Sequence, residues 1–119
     1  MYIDDRTRVL HMRDAARAAI EFISGRTRPD LDKDRMLQFA VVRALEIIGE
    51  AAAGVSEEGR ARAAQIPWRV IVSTRNRVIR GYFSMNTELI WNTVSVDLPV
   101  LISELDALLN ELETAPDQR

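Results

Sequence analysis

The segment "WNTVSVDLPVLISELDALLNEL", residues 91–112, indicates the fold class. Its apolar side chains recur at alternating steps of three and four residues, the spacing of one face of an α-helix. This stripe consists of Trp91, Val94, Leu98, Leu101, Leu105, Leu108 and Leu112. Pro99 lies inside the stripe and lacks a backbone N–H, so we expect a kink in a helix whose register continues on both sides.

Helical spacing also dominates the rest of the chain, and no strand pattern competes with it. Gly25 is a stop signal after the first helix, and Pro67 suits the first turn of a later one, which we expect to end at Gly81. Either Asn86 or Thr87 is suited to cap the last helix. The predicted helices cover residues 4–24, from near Asp32 to 55, 57–64, 67–79 and from the residue after Asn86 or Thr87 onward.

A second apolar face flanks the main stripe of the last helix. It consists of Leu89, Ile90, Val96, Val100, Ile102 and Leu109. A monomer of this size buries fewer apolar positions on one helix, which favours a homodimer. The alternative is a central helix that is buried on all sides within one chain. The sequence therefore predicts an all-α, antiparallel four-to-five-helix bundle that dimerises, with one domain over 1–114 and a disordered tail over 115–119.

Composition excludes several classes of protein. The 119 residues are 47% apolar and 29% charged, which is typical of one soluble globular domain. The absence of cysteine excludes disulfides and thiolate metal sites. No apolar run reaches the roughly 20 residues of a membrane helix, and the charged N-terminus does not resemble a signal peptide. We therefore expect a cytoplasmic protein with no membrane partner, no metal site and no cofactor.

Charge is distributed unevenly along the chain. Between Arg60 and Thr87 there are six arginines and no acid, whereas seven acids and one base follow from Glu88 onward. Two interpretations remain open at this point. The arginines form a positive patch for an anionic ligand, or the two segments neutralise each other in the fold.

The segment "RNRVIRGYFSMN", residues 75–86, holds three of these arginines beside a glycine and a tyrosine. Arg75 and Arg80 near the end of a helix are able to bind one phosphate-sized anion, and Tyr82 is able to stack on a base. The alternative is that the cations only stabilise the helix dipole.

Glu46 and Glu50 lie four residues apart on one helix face, where they hold an arginine or face solvent. His11 is the single histidine, and we interpret it as a surface or packing residue.

The same segment resembles the signature of HEPN-domain toxins of the HepT type. That signature is an arginine, four to six variable residues, a histidine, one residue and a tyrosine. Here Arg75 opens it, position 80 is that of the histidine, and Tyr82 closes it. The flanking segments resemble the same family, namely "RALEIIGEAA" (43–52), "IPWRVI" (66–71) and "WNTVSVDLPVLISELDALL" (91–109).

The resemblance implies a dimeric helical bundle whose two signatures line a cleft at the interface. It implies a metal-independent endoribonuclease, the toxin of a type VII-like toxin–antitoxin pair, that leaves 2′,3′-cyclic phosphate ends. The implied partner is a minimal nucleotidyltransferase that silences the toxin by AMPylation of Tyr82. The implied catalytic residues are Arg75, Tyr82 and the residue at position 80, with Asn76 and Arg77 contacting RNA.

The chain departs from the signature at position 80, where arginine replaces histidine. Arginine stays protonated and cannot exchange protons at neutral pH. Arg80 therefore predicts impaired catalysis with retained phosphate binding, whether the arginine was introduced or is natural. Two alternatives follow: a dimer that binds RNA or nucleotide without cleaving it, and a structural protein whose arginines meet the acids of a partner chain.

Overall fold

In the computed structural model, the structure describes the backbone of residues 4–80 and 86–114 and the side chains of residues 4–74 and 86–112. The elements are α1 (Asp5–Ile23), α2 (Arg28–Lys33), α3 (Arg35–Gly54), α4 (Glu57–Ala61), α5 (Trp68–Arg80), α6 (Thr87–Asn92), a π-helical segment (Thr93–Asp97) and α7 (Leu98–Thr114). The predicted all-α fold is confirmed, while the homodimer remains a prediction. Gly81 and the predicted tail over 115–119 lie outside the described residues.

Short polar side chains set the helix starts. Asp4 accepts from the backbone N–H of Thr7 at 2.8 Å, and Asp34 accepts from that of Leu37 at 3.1 Å. Each bond satisfies an N–H that has no partner inside its helix. After α1, Gly25 adopts a φ of +76°, in the left-handed region that glycine enters without steric cost. The predicted start and stop of the first helix are therefore confirmed.

The predicted start of the second helix near Asp32 is wrong. Residues Arg28–Lys33 form a separate short helix, α2, and α3 begins only after Asp34. Thr27 and Asp30 form a capping box at the start of α2, and Pro29 occupies its first turn. Asp34 interrupts the helix because its side chain is used as the cap of α3.

The core is continuous and apolar. Helix α1 packs between α3 and α7, and α3 also contacts α5 and α2. No polar or charged residue is buried among the described side chains. The largest fully buried side chains are Met12, Leu31, Ile66, Leu105, Leu108, Val9, Val41 and Val94.

The last helix runs from Thr87 to Thr114 and contains one widened turn. In this turn the N–H of Leu98 donates to the carbonyl of Thr93, five residues earlier. Pro99 follows directly, and in a regular helix its ring would collide with the carbonyl four residues earlier. The predicted disturbance at Pro99 therefore takes the form of a π turn, a common cause of helix irregularity.

The π turn also changes which apolar residues are buried. Steps of four lead from Ile90 through Val94 to Leu98, so Ile90 is 3% exposed and Trp91 is only half-buried. Ile90 thus takes the core position that the sequence assigned to Trp91. The predicted second face divides: Ile90 and Leu109 are buried within the chain, whereas Val96 and Val100 remain exposed.

Among the described residues, no helix is both long and apolar enough to cross a membrane.

The capping carboxylates make stability sensitive to acid. The backbone N–H of Leu37 lowers the pKa of Asp34, and that of Thr27 lowers the pKa of Asp30. A depressed folded pKa means that the stabilisation is complete above the unfolded value of about 3.9 and is lost as the pH falls through the folded value. Asp34→Asn keeps an oxygen acceptor for Leu37 but cannot titrate. We expect its Tm to fall less than that of the parent between about pH 5 and pH 3, measured by circular dichroism; equal decreases would contradict a role for this cap.

Candidate functional site

The predicted site residues lie at the C-terminal half of α5 and just beyond it. Helix α5 ends at Arg80, and its backbone includes the positions of Arg75, Asn76 and Arg77. Their side chains, and Tyr82 as a whole, lie outside the described residues. Convergence of these groups in one cleft therefore stays a prediction.

Helix α5 is anchored at its start by a tryptophan. Trp68 is 7% exposed, and its indole Nε1 donates to the carbonyl of Ala63 at 3.1 Å. A buried indole with a satisfied N–H fixes both the position and the rotation of the helix. Since α5 packs on α3, this anchor also orients the segment that carries the signature.

One arginine of the acid-free segment has a structural role. Arg60 donates from Nη2 to the carbonyl of Ala52 at 3.0 Å, at the end of α3, and its guanidinium lies 5.8 Å from the ring of Trp68. A cation at the carbonyl end of a helix is favourable, and the aromatic face adds attraction. Arg60 therefore stabilises the fold and is not a member of the predicted anion site.

An apolar groove of about 400 Å³ separates α5 from α6, the π-helical segment and α7. Three large hydrophobic side chains in its lining are exposed, Val70, Val96 and Val100, at 55%, 62% and 60%. Side chains of Leu45 and Ile48 from α3 also line it. Three valines exposed along one groove form an apolar surface that the described residues do not cover.

The groove reaches the start of the signature. Thr74 lines it and directly precedes Arg75, and Thr93 lines it from the opposite side. Both hydroxyls donate within their own helices, Thr74 to the carbonyl of Val70 and Thr93 to that of Leu89, each at 2.8 Å. Because these hydroxyls are already bonded, the groove wall beside the signature is suited to apolar contacts.

Acidic side chains border the same groove. Asp97 and Glu104 contribute to its lining from the side of the π-helical segment and α7. The lining residues on the opposite side, Pro67, Val70, Ile71 and Thr74, are uncharged. Among the described side chains, the charge that borders this groove is therefore acidic.

The other candidates from the sequence have local explanations. Glu46 and Glu50 both face Arg43 of their own helix, with oxygens 3.5 and 3.3 Å from its Nη1. These carboxylates hold an arginine, as one of the two interpretations proposed, but that arginine precedes them on α3. His11 is exposed on α1, which agrees with a surface role.

Sequence reasoning missed one contact beside the signature. Thr87, the first residue of α6, donates its hydroxyl to the carboxylate of Asp32 on α2. The two residues are far apart in the sequence, and no spacing rule connects them. Among the residues that the structure describes, histidines and carboxylates form no group of three or more able to hold a metal ion.

Comparison with known proteins agrees with this helical scaffold. The family described as ribonuclease HepT-like matches residues 12–108, which include α3, α5 and most of α7. The chain belongs to the ribonuclease HepT-like family. The match covers the whole of α5, on which the signature begins, so this membership extends to the segment with the candidate site.

Two relatives show how far the similarity extends. "Probable ribonuclease HepT" of Thermococcus cleftensis is 38% identical over 94 residues, which cover 76% of this chain and 86% of that protein. "Putative RNase TTE0752" of Caldanaerobacter subterraneus subsp. tengcongensis is 34% identical over 101 residues, which cover 85% and 90% of the two chains. No solved structure matches this chain.

Proposed function

We propose that this chain is the toxin of a toxin–antitoxin pair, an endoribonuclease that acts as a homodimer without a metal ion. Its catalytic residues are Arg75, Tyr82 and the residue at position 80, with Asn76 and Arg77 contacting RNA. A minimal nucleotidyltransferase silences it by transferring AMP to Tyr82. In the present sequence, Arg80 impairs the chemical step.

One observation carries this proposal. The chain belongs to the ribonuclease HepT-like family, matched over residues 12–108, and within that range Arg75, Gly81 and Tyr82 keep the spacing of the HepT signature. The signature also begins where the described groove ends, at Thr74. Family membership and position in the fold therefore both support the assignment of the active site to this segment.

The reaction requires two proton transfers and no metal. A base removes the proton of a ribose 2′-hydroxyl, and the 2′-oxygen attacks the neighbouring phosphorus. The bond from phosphorus to the 5′-oxygen breaks, and an acid protonates the departing oxygen, leaving a 2′,3′-cyclic phosphate and a 5′-hydroxyl. Histidine suits both proton transfers near neutral pH, and arginine stabilises the charge on the phosphoryl oxygens.

Arginine at position 80 changes this chemistry. A guanidinium binds phosphate but neither takes nor returns a proton at neutral pH. Binding of RNA is retained while the chemical step loses its proton-transfer group. This residue also favours the second candidate function, a dimer that binds RNA or nucleotide without cleaving it.

The second copy of the chain docks in the groove between α5 and α6–α7. In a two-fold dimer the same surface meets itself, so α5 of one protomer lies against α6–α7 of its partner. That arrangement covers Val70, Val96 and Val100 and brings arginine-rich α5 towards Asp97 and Glu104. Burial of apolar side chains with opposite charges at the rim is typical of specific interfaces. It also brings the two signatures to one interface.

The first test restores the histidine of the signature. We expect Arg80→His to cleave RNA about 10² to 10⁴-fold faster than the parent, since this is the usual contribution of acid–base catalysis. Its rate should change with pH near the ordinary histidine pKa of about 6.5, whereas the residual rate of the parent should not change from about pH 5 to 8. The measurement is cleavage of a labelled RNA in the presence of a chelator, with RNA affinity determined at matched salt.

Two results would count against this assignment. Full cleavage by the parent would show that position 80 is not the proton-transfer group. A folded Arg80→His variant that binds RNA but never cleaves it would favour the non-catalytic binding protein.

The second test addresses the dimer interface. Val100→Glu places a charge in the groove, and we expect it to convert the dimer into a monomer in sedimentation velocity experiments, because an unpaired carboxylate in an apolar interface is costly. Met36→Glu is the matched control, since Met36 is 82% exposed and does not line the groove. A Val100→Glu variant that remains dimeric would place the interface elsewhere.

The third test addresses regulation by the antitoxin. Incubation with the cognate nucleotidyltransferase and ATP should add one or more AMP groups to the chain, detected by intact mass. Tyr82→Phe removes the acceptor oxygen and should abolish the addition, while Tyr2→Phe controls for the only other tyrosine. Modification that persists in Tyr82→Phe would assign the acceptor to another residue.

A further inference from the structure

Helix α2 connects α3 to the start of α6. Gln38 of α3 donates from Nε2 to the carbonyl of Leu31 at 2.8 Å and to that of Asp32 at 3.2 Å. Leu31 is fully buried. A helix of six residues is too short to be stable by itself. Its position is therefore set by these contacts with α3.

Asp32 extends this connection to α6. One carboxylate oxygen accepts from the hydroxyl of Thr87, and the other lies 3.6 Å from Nη1 of Arg28. Arg28 thus orients the carboxylate from within the same helix. A hydrogen bond to an ionised acceptor is stronger than one between neutral groups, so the bond from Thr87 is suited to fixing a helix end.

Thr87 lies at the point where the signature segment joins the bundle. It follows Tyr82 by five residues in the sequence and opens α6. The preceding residue, Asn86, caps α6: its side chain accepts from the N–H of Leu89 at 3.0 Å and its carbonyl from that of Ile90 at 3.1 Å. Any shift of Thr87 is therefore transmitted to the cap of α6.

The two sides of the signature are thus held by the same helix, α3. On the N-terminal side, α5 packs directly on α3. On the C-terminal side, α6 is tied to α3 through Thr87, Asp32 and Gln38. The second connection combines apolar packing, through buried Leu31 of α2 and Ile90 of α6, with these polar bonds, and the bond between Thr87 and Asp32 is its contact at the first residue of α6.

We infer that Asp32 and Thr87 are positioning residues, which fix the start of α6 and thereby the geometry of the signature during RNA cleavage. This inference rests on the proposed function for its catalytic part. Neither residue contacts RNA in the proposal; both act through the backbone that leads from the signature into α6. Small displacements of catalytic groups reduce the rate of the chemical step more than they reduce binding.

The test compares variants of Thr87 that differ in the hydroxyl. Thr87→Val has nearly the same shape without the hydroxyl, and Thr87→Ser restores it. Ser95→Ala is the matched control, since Ser95 donates to the carbonyl of Trp91 in the same continuous helix and does not line the groove. Asp32→Ala removes the acceptor from the other side and should reproduce Thr87→Val.

The first readout is independent of RNA. We expect amide hydrogen exchange at Leu89 and Ile90 to become about tenfold faster in Thr87→Val, because the first turn of α6 opens more often. Exchange in α1 should remain unchanged, and Thr87→Ser and Ser95→Ala should both match the parent. Unchanged exchange at Leu89 and Ile90 in Thr87→Val would overturn the inference.

The second readout is catalytic and uses the Arg80→His background. Adding Thr87→Val should lower kcat about tenfold with KM unchanged, and Thr87→Ser should restore kcat. Faster exchange with unchanged kcat would mean that the bond between Thr87 and Asp32 orders α6 without affecting catalysis, and would overturn the positioning role. If Arg80→His cleaves no RNA, the proposed function fails, and the exchange measurement still decides whether Asp32 and Thr87 order α6.

Discussion

The close approach of α1 to α3 is the constraint on which the remaining architecture depends. The buried residues of these two helices include many small ones, namely Ala15, Ala16 and Ala19 of α1 and Ala44, Ala51 and Ala52 of α3. At the end of α3, the guanidinium of Arg8 of α1 lies against Gly54, where a larger residue would displace it. Small residues at a helix contact permit a short interaxial distance. Larger side chains here would separate α1 from α3 and displace both α7 and α5.

This seam determines where the functional surface lies. Because α7 packs on α1 and α5 packs on α3, the pairs α1–α7 and α3–α5 extend from the central seam. Helices α5 and α7 then face each other across the groove instead of closing on one another. An open groove lined by Val70, Val96 and Val100 follows from this order of helices, and so does its proximity to the signature.

The sequence predicted those features that depend on local rules. Periodicity placed α1 and the last helix, Pro67 indicated the start of α5, and the caps Asn86 and Gly25 were recognisable from residue type. It failed where neighbouring residues compete for one role. Aspartate favours a helix N-cap over a helix interior, but Asp30, Asp32 and Asp34 follow one another at steps of two, and residue type alone did not show that Asp34 caps α3. Trp91 and Ile90 are both apolar, and the π turn selected Ile90.

The site was predictable only as a motif. The signature gives the order of Arg75, Arg80 and Tyr82 but no information about what holds them. The contact of Thr87 with Asp32 joins segments far apart in the sequence, and a hydroxyl and a carboxylate at such a distance carry no pattern. Arg60 illustrates the opposite case. It belongs to the basic segment by sequence, yet it binds the carbonyl end of α3 and stacks near Trp68.

The arginines of the acid-free segment therefore do not all serve the same purpose. Arg60 has a structural role at the end of α3. Four of the other five arginines of this segment belong to the sequence of α5, where the signature begins. Asp97 and Glu104 border the facing wall of the groove but belong to the same chain. The described lining residues from the opposite side, Pro67, Val70, Ile71 and Thr74, are uncharged, so within one protomer these two carboxylates meet no cation across the groove. In the proposed dimer, a partner that fills the groove excludes water around them, and any pairing with arginines of the partner's α5 is then screened less than it would be at an open surface.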